Sequence, residues 1–113
     1  MTTLITRTEL EAAIANGEVT VVDALPAAYY EQQHLPGAVN LYVEEAGARA
    51  AEVLPDRSAP IVAYCSNLSC PNSEGVARTL TRLGYTDVRK YAEGIQDWVE
   101  AGLPTESGAR AVA

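Results

Sequence analysis

Val62-Ala63-Tyr64-Cys65-Ser66-Asn67-Leu68-Ser69-Cys70-Pro71-Asn72-Ser73 sets a short polar loop between an apolar run and a helical pattern. The run begins at Pro60-Ile61 and is apolar at every position through Tyr64, as in a strand buried on both faces. Beyond the loop, Val76, Leu80 and Leu83 recur at helical spacing, and Gly84 ends the pattern. A loop so placed brings its own backbone N–H groups together with the unpaired N–H groups of the helix start. The result is a cradle for an anion, including a thiolate. Cys65 thereby has a physical reason to be reactive. The competing reading is of small buried residues flanking a turn, since free cysteines are often interior.

Working outward, Thr8 and Glu11 have capping-box spacing, Leu10 and Ile14 share a helix face, and Asn16-Gly17 closes that helix. Val19-Thr20-Val21-Val22-Asp23 is a second run too apolar to alternate. Pro26 opens a short helical segment through Gln33, and Pro36-Gly37 turns the chain into Ala38-Val39-Asn40-Leu41. The stretch from Val43 to Leu54 reads as helix, Thr86 to Tyr91 as strand, and Ile95, Trp98 and Val99 as a short amphipathic helix ended by Gly102. Strands and helices alternate throughout. That order predicts a three-layer α/β domain with helices over a mainly parallel sheet, spanning residues 1–105, with a fraying tail from Glu106 to Ala113. In such sheets, sites form beyond the carboxyl ends of strands, where Asp23 and Cys65 both fall.

The 113 residues and 48% apolar content suffice for one core. A net charge of −7 disfavours nucleic acid as a partner. No apolar run approaches the ~20 residues that span a bilayer, and the N-terminus lacks a signal pattern, so a cytoplasmic location is expected, with no membrane partner. Two cysteines five positions apart close too short a loop to staple a fold, which makes local redox chemistry their more informative use. With one remote histidine they form an incomplete zinc set, and no metal or cofactor is expected. A cysteine phosphatase would need a loop cation. Pro71 and Val76 stand six residues after Cys65 and Cys70, so that cation is missing.

Val21-Val22-Asp23, His34-Leu35-Pro36-Gly37-Ala38-Val39-Asn40, Val62-Ala63-Tyr64-Cys65, Leu83-Gly84-Tyr85, Gly94 with Trp98, and Gly102-Leu103-Pro104 together resemble a single-domain member of the rhodanese family. The resemblance implies a sulfurtransferase. Cys65 would accept sulfane sulfur from a thiosulfate-like anion or a persulfide donor, and pass it to a thiol, on a protein or otherwise, or to cyanide. The chain departs from the family pattern in three places. Its loop is longer, with Cys70 near the position where an Arg is common. Leu25 stands where an Arg often follows the aspartate, and Glu93 replaces the first glycine of a frequent pair. A missing charge-assisted hydrogen bond costs about 1.5–3 kcal/mol, so thiosulfate is expected to be a weak donor.

On this reading Cys65 attacks as a thiolate with its pKa drawn down from about 8.5. The anion cradle comprises Ser66, Asn67, Leu68, Ser69, Asn72 and Ser73, and the last two both suit a helix N-cap. Cys70 has three roles open to it: a resolving thiol that closes a Cys65–Cys70 disulfide, a protective partner under oxidation, or a filler of the loop's underside. Asp23 and His34 are placed as loop support: Asp23 either receives loop amides or takes a surface or helix-capping role, and His34 pins its turn in preference to moving protons. Trp98 reads as core. The rival to the enzyme is a non-catalytic or redox-sensing interaction domain of the same fold. Oligomeric state is left open.

Overall fold

The computed structural model describes residues 2–108. Five parallel strands form the sheet: β1 (Thr3–Leu4), β2 (Thr20–Asp23), β3 (Val39–Asn40), β4 (Ile61–Tyr64) and β5 (Val88–Tyr91), in the order β1-β5-β4-β2-β3. Every pairing is parallel, and Asp23 lies beside Tyr64 in the β2–β4 register. The three-layer α/β expectation is met. All four residues of central β4 are buried, which is why that run carries no polar alternation.

Side chains of adjacent strand residues point to opposite faces, and this divides the core in two. Val22, Ile61, Ala63 and Cys65 face the side covered by α3 (Ala46–Val53) and α4 (Asn72–Arg82). Val21, Val62, Tyr64 and Tyr91 face the side covered by α1 (Arg7–Ala15), α2 (Ala27–Gln32) and α5 (Gly94–Glu100), where Leu10, Tyr30 and Trp98 pack. Cys65 thus continues the period of β4 onto the α3/α4 side.

Two local expectations, the cap of α1 and the tail from Glu106, are corrected, and the stop at Gly84 is met. The capping box of α1 is Thr6 with Glu9, two residues upstream of Thr8 and Glu11. Ile5 is buried and its N–H still donates to Lys90 O on β5 (3.0 Å), so the chain leaves the sheet there and the helix starts at once. At the end of α4, Gly84 (φ +97°) closes a Schellman motif in which Tyr85 N donates to Leu80 O and Gly84 N to Thr81 O. The motif turns Tyr85 into the core and leaves Leu83 38% exposed, and Val99 on α5 is likewise exposed. Finally, Glu106 does not fray. It exchanges two 2.8 Å backbone hydrogen bonds with His34, and its carboxylate accepts from Gly37 N. The remainder of the expected tail from Arg110 onward, with Ala109, lies outside the described residues.

Candidate active site

The loop between β4 and α4 is held from outside by the start of α5. Ile95 N donates to Cys65 O (2.9 Å) and Gln96 N to Ser66 O (3.0 Å), so two of the helix's unpaired first-turn N–H groups are used on the loop. A trans peptide is planar with its C=O and N–H opposed. Fixing these two carbonyls toward α5 therefore aims the N–H groups of Ser66 and Asn67 the other way, into the loop. Gly94 (φ +74°) makes the approach feasible, because a Cβ there would stand 2.5 Å from Cys65 O.

Other loop donors are consumed locally. Asn67 Oδ1 accepts from Ser69 N (2.9 Å) and Asn67 O from Cys70 N (3.1 Å), while Leu68 sits at the tip, 75% exposed. Ser69, expected in the anion cradle, spends its amide within the loop itself. Pro71 is the N-cap of α4, with no side-chain cap, and Asn72 and Ser73 are the first two helical residues. The Asn72 side chain ties the helix start to the end of β2 by donating to Ala24 O (3.2 Å).

Both cysteines are reduced. Cys65 is 1% exposed; its thiol donates to Cys70 O (3.3 Å) and lies 3.6 Å from Ser73 Oγ. Burial, reinforced by the neighbouring Cys70 thiol, pushes the Cys65 thiol up, against the opposing pull of the Ser73 hydroxyl and amide. The expectation of a depressed Cys65 pKa is corrected by this geometry. Cys70 is only half-buried. Partial burial pushes its thiol up, but hydrogen bonds from the Cys65 thiol, the Asn72 and Ser66 amides and the Ser66 hydroxyl outweigh that and hold it below the ordinary value. The polar groups around the two thiols are thus divided, Ser73 acting on Cys65 and Ser66 with Asn72 on Cys70.

Asp23 and His34 are near the site but do not support the loop as expected. Asp23, fully buried, accepts from Leu25 N (2.8 Å) and from the Tyr64 hydroxyl (2.7 Å). The same hydroxyl accepts from Leu35 N (3.1 Å), so the aspartate braces the 35–38 turn against β4. His34 stacks on Tyr30 at 4.0 Å, with Nδ1 2.7 Å from Tyr30 O and Nε2 3.8 Å from the Glu106 carboxylate. Sequence reading missed the α5 amides and Tyr64. The available signals were a glycine directly before a helix and a tyrosine preceding the cysteine.

The rhodanese-like domain model matches residues 6–101, and the chain belongs to that family. It is 40% identical over 108 residues to the HTH-type transcriptional regulator Rv0324 of Mycobacterium tuberculosis, covering 93% of this chain and 45% of the regulator, so it spans about half of that relative's length. It is 31% identical over 77 residues to the thiosulfate sulfurtransferase PspE of Escherichia coli, covering 67% of this chain and 70% of that protein. The crystal structure of the BH2092 protein from Bacillus halodurans superimposes with a TM-score of 0.86 at 22% identity, over 94% of this chain and 77% of that one; this likeness concerns the fold. Family membership carries the general potential for sulfur transfer. Among the described residues, no helix is long and apolar enough to cross a membrane.

Proposed function

We propose that this domain moves sulfane sulfur from a persulfide or thiosulfate-like donor to a thiol or cyanide acceptor, through a persulfide formed in the 65–73 loop. Cys65 stands at the family's carrier position. The observation that carries the reading is the pair of reduced thiols beyond the carboxyl end of β4, in a loop whose Cys65 and Ser66 carbonyls are bound by α5 so that the following amides face inward. Such donors stabilise both a thiolate and the sulfur anion developing during transfer. The segment Ser66–Asn72 contains no basic residue, which favours a thiol-borne donor over the thiosulfate dianion. A soluble location, with a small sulfur anion or a protein persulfide as the upstream partner, fits this use. The experiment is mass spectrometry after exposure to thiosulfate and, separately, to a thiol persulfide. A gain of about 32 Da that discharges to cyanide or a thiol is expected, and failure to take up sulfur from either donor would refute the proposal.

A second reading is favoured by the likeness to the mycobacterial regulator: the domain senses reactive sulfur or oxidant for an attached or associated partner, with a Cys65–Cys70 disulfide as its signal. Stoichiometric loop oxidation without turnover, accompanied by altered partner binding, would distinguish it from the enzyme.

A further inference from the structure

We infer that a groove between α4 and the amino ends of β1 and β5 binds a small organic phosphate. Arg78 and Arg82 hold the phosphate, and Tyr85 with Val88 meets the carbon skeleton. The groove shares no lining residue with the 65–73 loop, and the inference does not depend on sulfur transfer. Its volume of about 560 Å³ falls within the range of small-molecule sites. Charge is the first argument. The chain has a net charge of −7 and eight basic side chains, yet Arg57, Arg78, Arg82 and Lys90 all stand in or beside this groove. Against them, Glu74 is the carboxylate in the lining. Two acids close by in the chain are engaged elsewhere: Asp87 lies 3.8 Å from Arg89 Nε, and Asp56 accepts from Ser58.

Geometry is the second. Glu74 already accepts from Thr2 Oγ1 (2.7 Å), Arg78 Nε (2.8 Å) and Lys90 Nζ (3.0 Å). It anchors Arg78 by one edge of the guanidinium and leaves both Nη groups without a partner among the described residues, on a side chain that is 70% exposed. Arg82 follows one turn later on the same helix face, and its polar contact there is a long 3.4 Å one from Nη2 to Thr79 Oγ1. Two guanidinium groups so placed repel, and an anion between them relieves the repulsion. A carboxylate fills one fork, whereas the three terminal oxygens of a phosphate monoester serve both. Tyr85 turns its hydroxyl into the core, donating to Ala50 O and Leu54 O, so it offers the groove ring and not oxygen. Thr81 and Thr86 donate to Ala77 O and Arg57 O and keep lone pairs for a ligand hydroxyl.

Adenosine monophosphate is the probe, titrated at low salt into isotope-labelled protein and followed by amide NMR, with inorganic phosphate and adenosine as separate arms. Shifts should gather at Thr2, Arg78, Thr81, Arg82 and Thr86. The nucleotide should bind at least about tenfold more tightly than adenosine, and more tightly than phosphate. Arg78→Gln and Arg82→Gln should each weaken it by about tenfold or more, while Arg49→Gln on α3 leaves it unchanged. Each variant's unfolding midpoint verifies the fold, and Arg82→Gln, which leaves the Glu74 contacts alone, carries the test if Arg78→Gln is unstable. Shifts gathered at residues 66–73 would put the phosphate in the thiol loop and overturn the assignment. Phosphate binding as tightly as the nucleotide would remove the organic ligand. No saturable shift with the nucleotide, or an affinity unmoved by both arginine variants, would overturn the site itself.

Discussion

Gly94 and Cys65 are in backbone contact: the Cα of Gly94, at φ +74°, packs so closely that an added Cβ would lie 2.5 Å from the Cys65 carbonyl oxygen and 2.6 Å from the Ser66 carbonyl carbon. The neighbours are backbone and cannot swing away. Gly94→Ala therefore combines a strained left-handed residue with a clash, and is expected to cost more than about 2 kcal/mol. It should also release the Ser66 amide from its inward orientation. Urea unfolding measures the first effect. Slower alkylation of the loop thiols, followed with iodoacetamide, measures the second.

Ser73 offers a cleaner probe of Cys65. Its hydroxyl lies 3.6 Å from Cys65 Sγ and opposes the upward push of burial on that thiol. Ser73→Ala should raise the Cys65 thiol further. In a Cys70→Ser background, alkylation of Cys65 near pH 8 should slow several-fold, while stability changes by only about 1 kcal/mol or less. An unchanged alkylation rate would show that the hydroxyl has no hold on the sulfur.

These two residues mark where the sequence was informative and where it was not. The β4–loop–α4 junction was legible because fully buried parallel strands lack polar alternation and because Gly84 and Gly102 end their helices unambiguously. Which sulfur the amides face was not legible. It depends on α5, some thirty residues downstream, fixing the Cys65 and Ser66 carbonyls. Local pattern carries no record of that contact. The N-cap was misplaced for a related reason: Asn72 and Ser73 have good capping chemistry, but tertiary demand directs their side chains to Ala24 O and Cys65. The Thr6–Glu9 and Thr8–Glu11 pairs have equal spacing, and only the burial of Ile5 in the sheet chooses between them.

Tyr64 is the hinge between β4 and the 35–38 turn. Its hydroxyl donates to Asp23 and accepts from Leu35 N, all within the core. Tyr64→Phe would leave a buried N–H without its acceptor and a buried carboxylate without one of its two donors. A loss of about 2–4 kcal/mol is expected, larger than for removal of a surface hydroxyl, because each stranded group keeps its desolvation cost. Chemical denaturation checks this. A loss below about 1 kcal/mol would mean that water or a shifted side chain replaces the hydroxyl.

Asp23 gives the fold an unusual pH dependence. Burial pushes its carboxyl up to about 6, against the Leu25 amide, the Tyr64 hydroxyl and the charge of His34, all of which favour the ionised form. Folding thus strengthens proton binding at this site. Below the unfolded pKa, near 3.8, both states are protonated and the stabilising contribution is fully present; it is lost as pH rises through the folded value. The opposite sign holds for Glu74, which Arg78, Thr2 and Lys90 draw down to about 2, and whose contribution is lost only as the solution becomes strongly acid. Between pH 5 and 8 the Asp23 effect should dominate the contrast. Across that interval wild type should lose about 1.4 kcal/mol relative to Asp23→Asn, which cannot titrate there. Urea midpoints of both proteins at the two pH values give the comparison, and a wild-type–variant difference that stays constant with pH would place the carboxyl's pKa in the ordinary range after all.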